Sequence, residues 1–156
     1  MKNNYILPLS AVACVTMIVV LSGCLIQPPV YVPSVLFQSS ANDIRVTSGQ
    51  TSEIVTITVT KADNEGKPTA FDVMLESSKE DYFYPISVTG SGARLTEAQT
   101  KILIDEGSSD TVQFKVYGTL PSGLTSATGT ITARLYYNNS LMSNVAPLSF
   151  NIQVSA

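Results

Sequence analysis

The chain has 156 residues, 44% of them hydrophobic and 13% charged, with 9 basic against 12 acidic side chains and a net charge of −3. This length suits one ordinary domain, and the sparse positive charge excludes the basic stripe that a nucleic-acid partner would require. Histidine is absent, which removes histidine-based catalysis and histidine metal ligation.

Residues 1–23 read as an export signal. Lys2 supplies a short positive start, and Tyr5 to Gly23 carry no charge. A run of that length can enter the hydrocarbon core, so it stands apart from the folded domain. Its end, Leu21-Ser22-Gly23-Cys24, resembles the lipobox of secreted lipoproteins: aliphatic, small, small, cysteine. The resemblance implies cleavage before Cys24, with the small residues giving the peptidase access, and lipid attachment to the Cys24 thiol. An uncleaved N-terminal anchor helix is one alternative, and a chance match after an ordinary signal peptide is the other. Every reading places the rest of the chain outside the cytoplasm, and the lipid or the helix would attach it to the membrane. Cys14 falls within the signal, so the mature chain keeps only the blocked Cys24 and forms no disulfide.

A tether follows at residues 24–34. Pro28, Pro29 and Pro33 favour extended polyproline conformation, giving a reach on the order of 30 Å at about 3 Å per residue. The domain, residues 35–156, is thereby expected close to the membrane.

From Val35 onward apolar residues recur with a period of two, which predicts strands in chain order. A lead-in covers 35–38. Val55, Ile57 and Val59 mark the next strand, and Phe71, Val73 and Leu75 the one after. Residues 82–88 contain Pro85, which suits an edge. Strands at 102–104, 112–117, 131–137 and 148–154 complete the series. A helical turn is expected at 95–100. Turn residues punctuate the runs at Ser48-Gly49, Asp63-Asn64-Glu65-Gly66, Glu106-Gly107 and Pro121-Ser122-Gly123. Gly49 and Gly107 each precede a strand, which suggests equivalent strands in facing sheets. One apolar and one polar face per strand predicts antiparallel sheets packed on each other.

This order of glycine turns and alternating strands, closing with Gly129-Thr130-Ile131-Thr132-Ala133-Arg134-Leu135, resembles the CARDB-like and S-layer-associated Ig-like domains of cell surfaces. The fold expected is all-β, an Ig-like antiparallel β-sandwich of seven or eight strands. The resemblance implies binding, spacing or assembly at the cell surface rather than catalysis.

Candidate sites are few. Asp63-Asn64-Glu65 and Asp105, Glu106, Asp110 offer oxygen ligands but lack the acid alternation of calcium loops. Glu76, Glu80 and Asp81 surround Lys79 in a charged connection, with nothing to raise one carboxyl as glycosidase chemistry requires. No cofactor, metal or enzyme activity is therefore expected. Alternation points Tyr84 and Tyr137 inward, and Tyr117 and Tyr136 outward, where the last two would meet as a binding surface. Asn138-Asn139-Ser140 is a glycosylation sequon in a turn. The reading reached is a membrane-anchored envelope module that recruits a protein partner, with strands 82–88 or 148–154 as pairing edges. A glycan- or small-molecule-binding lipoprotein is the rival.

Overall fold

The computed structural model describes residues 31–63, 68–88, 95, 100–104 and 108–156. Two compact units are distinguished, residues 1–32 and residues 33–156, and the described strands all belong to the second. In order these are β1 (Val35–Ser39), β2 (Asp43–Thr47), β3 (Val55–Lys61), β4 (Thr69–Ser77), β5 (Phe83–Ser87), β6 (Thr100–Ile104), β7 (Ser109–Gly118), β8 (Ser126–Tyr137), β9 (Ser140–Leu141) and β10 (Leu148–Ser155). The eight predicted strands are all present, and β2 and β9 are additional. Ile44 and Val46 of β2 alternate with Asp43, Arg45 and Thr47, but two charges in five residues obscured the pattern.

The strands form a four-stranded sheet, ordered β1-β3-β7-β5, and a six-stranded sheet, ordered β2-β10-β8-β4-β6 with β9 beside β8. The first reproduces the A-B-E-D order of an immunoglobulin domain and the second contains its C-F-G series, so the fold is an Ig-like β-sandwich. One departure lies between β4 and β7. The chain first crosses to the opposite sheet as β5 and only then returns to pair β6 with β4.

Two expectations are corrected here. Ladders among the described strands are antiparallel except β2 with β10, which run parallel. The reason is the strand switch at residues 40–42: after β1 the chain passes to the other sheet without reversing, so β2 meets β10 in the same direction. Secondly, β3 and β7 are hydrogen-bonded neighbours in one sheet rather than facing strands. The predicted helical turn at 95–100 lies mostly outside the described residues, and Thr100 opens β6.

The period of two places Val55, Ile57, Val59, Val112, Phe114 and Val116 on the inner face of the four-stranded sheet. Phe71, Val73, Leu75, Ile131, Leu135 and Phe150 answer from the other sheet. Phe114 and Phe150 meet edge-to-face between the sheets at 5.4 Å and 80°, a preferred aromatic geometry. Each such fully buried side chain contributes about 1.5–3 kcal/mol of transfer free energy. Tyr137 leans inward against Phe71, 6.0 Å between ring centres, as predicted. Tyr84 does not. Phe83 and Pro85 take the inward positions of β5, so the alternation turns Tyr84 to the outer face.

Candidate functional site

Among the described residues the surfaces best placed to act on another molecule are the strand edges and outer faces. Among the described strands, four end the two sheets: β1, β5, β2 and β6. Their chemistry differs.

In β5 the central residue is Pro85, which has no N–H to offer, and its carbonyl accepts a hydrogen bond from the Leu95 N–H at 2.9 Å. That predicted edge is therefore blocked at its middle. The other predicted edge, 148–154, is interior: β10 is flanked by β8 on one side and β2 on the other. The parallel addition of β2, unforeseen in the sequence, is what covers it. β2 itself is guarded by Asp43 and Arg45, charges that discourage edge pairing.

β1 has no such guard. Its five residues, Val35-Leu36-Phe37-Gln38-Ser39, carry neither charge nor proline. The Ala62 N–H bonds the Ser34 carbonyl and the Ser40 N–H bonds the Thr56 carbonyl, so even-numbered residues 34–40 face β3. Antiparallel geometry then turns the N–H and C=O groups of Val35, Phe37 and Ser39 away from the sheet. Leu36 projects from the outer face and is 55% exposed. The sequence signal was available: no charged residue occurs between Lys2 and Asp43.

The lead-in to β1 is anchored firmly. Lys61, only 1% exposed at the end of β3, forms an ion pair with Asp63 at 3.3 Å. The second carboxylate oxygen of Asp63 accepts the Ser34 N–H at 2.8 Å. Asp63, a candidate calcium ligand in the sequence, thus serves as a counter-ion and backbone acceptor. Asn64, Glu65, Asp105 and Glu106 lie outside the described residues. Asp110 accepts the neighbouring Thr111 N–H. Among the described residues no cluster of three or more metal-ligating side chains occurs.

Tyr117 and Tyr136 do not come together. Tyr117 belongs to β7 and Tyr136 to β8, in different sheets, each on the face turned away from the other sheet. The aromatic neighbour of Tyr117 is Tyr84, directly across the β5–β7 ladder with ring centres 5.4 Å apart. Glu76 pairs with Arg134 on the six-stranded sheet, apart from the exposed turn bearing Glu80 and Asp81. Asn138 and Asn139 form the two-residue turn between β8 and β9, with φ of 50° and 60°. Positive φ at both positions defines a type I′ hairpin, and both side chains are exposed. The signal and lipobox residues, Leu21, Ser22, Gly23 and Cys24, lie outside the described residues, among which no helix is long and apolar enough to cross a membrane.

Sequence reasoning missed one polar feature. The outer faces of β2, β10 and β8 bring Asp43, Asn151 and Thr130 into one cross-strand row and Arg45, Gln153 and Thr128 into the next. The Asn151 amide donates to Asp43 at 2.9 Å, and the rows line a shallow depression of about 430 Å³.

No protein-family model and no curated protein matches the chain. Among solved structures, the native conformation of E. coli alpha-2-macroglobulin aligns at 17% identity and TM-score 0.49, over 77% of this chain and 6% of its own. Domains 4 and 5 of the S-layer protein SbsC align at 19% identity and TM-score 0.44, over 80% and 54%. The PapD-like domain 7 of human CEP192 aligns at 16% identity and TM-score 0.42, over 85% and 92%. The chain therefore spans about half or less of the first two. The fold assignment rests on strand order.

Proposed function

We propose that the chain is a membrane-anchored extracytoplasmic lipoprotein, held through lipidated Cys24, whose domain is a non-catalytic structural or protein-interaction module of the cell envelope. The anchor reading is supported by Leu21-Ser22-Gly23-Cys24 at the end of an uncharged run. The interaction role is carried by the uncharged edge of β1, unpaired on its outer side among the described strands, which offers a ladder of backbone groups to a partner strand. The lipid supplies location, and the edge supplies recognition.

Native mass spectrometry of protein gently extracted from its own membrane tests both parts. The expected subunit mass corresponds to cleavage before Cys24 plus a lipid, within a larger assembly. A full precursor mass would replace the lipid with an uncleaved anchor. A lone monomer with no partner would remove the interaction role. The same spectrum reads any sugar on Asn138, whose exposed turn favours access.

The polar depression of Asp43, Arg45, Asn151 and Gln153 favours a second reading, a surface lipoprotein that binds a glycan or another small polar molecule. Titration with envelope oligosaccharides, followed by amide shifts at Asn151 and Gln153, decides it. No shift at millimolar glycan would discard that alternative.

A further inference from the structure

The interaction role assigned to β1 leaves its partner open, and the chemistry of the edge narrows the choice. We infer that β1 pairs with β1 of a second copy of this chain, antiparallel about a two-fold axis at Phe37, joining two four-stranded sheets into one continuous sheet. The inference rests on the interaction reading above.

Three observations carry it. Val35, Phe37 and Ser39 turn their backbone groups outward, and this odd-numbered set maps onto itself under a two-fold axis at Phe37. Phe37 then exchanges both bonds with its counterpart, and Val35 does so with Ser39 of the second copy. Charge is compatible as well: β1 has none, and the adjoining outer-face residues of β3 are Thr56, Thr58 and Thr60. Self-pairing of β2 in the same manner would instead set Arg45 against Arg45, and like charges directly opposite are unfavourable.

The third observation is apolar. Leu36, 55% exposed, falls opposite Gln38 of the second copy and diagonal to its Leu36, at roughly 7–8 Å between Cα atoms. The two leucines thereby cover each other across the axis. The geometry also suits two anchored copies. Four residues of offset along the strand separate the two Val35 positions by roughly 14 Å, well within the reach expected of two tethers of about 30 Å. Both tethers can then reach one membrane.

The test uses the full chain in its own membrane, treated with a mild oxidant and read on non-reducing gels. A non-hydrogen-bonded antiparallel pair has Cα atoms about 4.5 Å apart, within disulfide range, whereas separations above about 7 Å are not bridged. The double substitution Leu36→Cys, Gln38→Cys is therefore expected to give a reducible dimer at least tenfold above Leu36→Cys alone or the parent chain. Native mass spectrometry adds a second arm, in which Leu36→Lys dissociates the parent dimer while its circular dichroism remains that of the folded β domain. That arm holds even if the cysteine variant folds poorly. A different subunit, lost from the assembly in Leu36→Lys with no cross-linked dimer, would overturn the second-copy inference and keep the interaction role. Monomers throughout, without any partner, would overturn both.

Discussion

The two ends of the sandwich are closed by opposite chemistry. At the end where the chain enters, Lys61 and Asp63 form a shielded ion pair that also holds the Ser34 backbone. At the other end, closure relies on serine hydroxyls and missing side chains. Ser52 accepts the Val116 N–H at 2.9 Å and donates to the Glu53 carbonyl at 2.6 Å. Ser48 accepts the Leu120 N–H, and Ser78 accepts the Thr130 N–H, each at 2.9 Å. Gly118 and Gly129 let the two sheets close in behind them. A buried charged latch concentrates its stability in one place, so the loss of one partner is felt at once. A set of small neutral contacts loses stability in increments.

The largest effect follows from breaking the latch. Asp63→Asn takes one carboxylate away from the buried Lys61 ammonium, at an expected loss of up to about 3–5 kcal/mol in unfolding free energy. Lys61→Met combined with Asp63→Asn should recover much of that loss, since a shape-matched apolar replacement removes the buried charge. Urea unfolding of the three chains measures this. Equal destabilisation in the single and double variants would mean that the pair acts through shape rather than charge.

At the opposite end, a methyl added at Gly129 would sit 2.7 Å from the Phe83 ring and from the Ser78 hydroxyl. Phe83 is fully buried and cannot swing clear, so Gly129→Ala is expected to cost about 1–3 kcal/mol. Gly118→Ala should cost less, because its close neighbours are methyl tips of Val46 and Val154 at 2.9 Å. Thermal melts that ranked the two in reverse would show Phe83 to be the more yielding neighbour. Ser52→Ala strands the Val116 N–H in the interior at an expected loss of about 1–2 kcal/mol. Hydrogen exchange at the Val116 amide should accelerate in that variant, which localises the loss.

These contrasts also mark where the sequence could be read and where it could not. Alternation in Val55-Thr56-Ile57-Thr58-Val59 fixed an inner and an outer face locally, and β3 follows it residue by residue. In β5 the same rule misplaced Tyr84, because Phe83, Tyr84, Pro85 and Ile86 are all apolar or aromatic and leave the phase of alternation undetermined. Which strands become edges depends on pairing between distant segments. Leu148–Ser155 reads as a terminal edge in sequence, yet β2, more than a hundred residues earlier, adds beside it. The same long-range placement separates Tyr117 from Tyr136. Lys61 and Asp63 were legible only as ends of a strand and a turn, since burial of a lysine is a property of its neighbours.

The smallest predicted effect lies back toward the latch end, in the turn after β8. Tyr137 pairs with Ser140 across Asn138 and Asn139, both at positive φ. Asparagine tolerates that region better than most residues, but glycine enters it without a steric cost, and Asn-Gly is the preferred type I′ pair. Asn139→Gly should therefore be neutral to stabilising by a few tenths of a kcal/mol, the gain being trimmed by the greater freedom of glycine in the unfolded chain. The change preserves an Asn138-Gly-Ser140 acceptor tripeptide, so sugar attachment at Asn138 can be compared without removing the site. Asn139→Val, with a β-branched side chain at positive φ, should lose about 1–3 kcal/mol in the same melts. A valine variant as stable as the parent would mean that the turn had shifted to another type, and the two-residue pairing of β9 would then be lost with it.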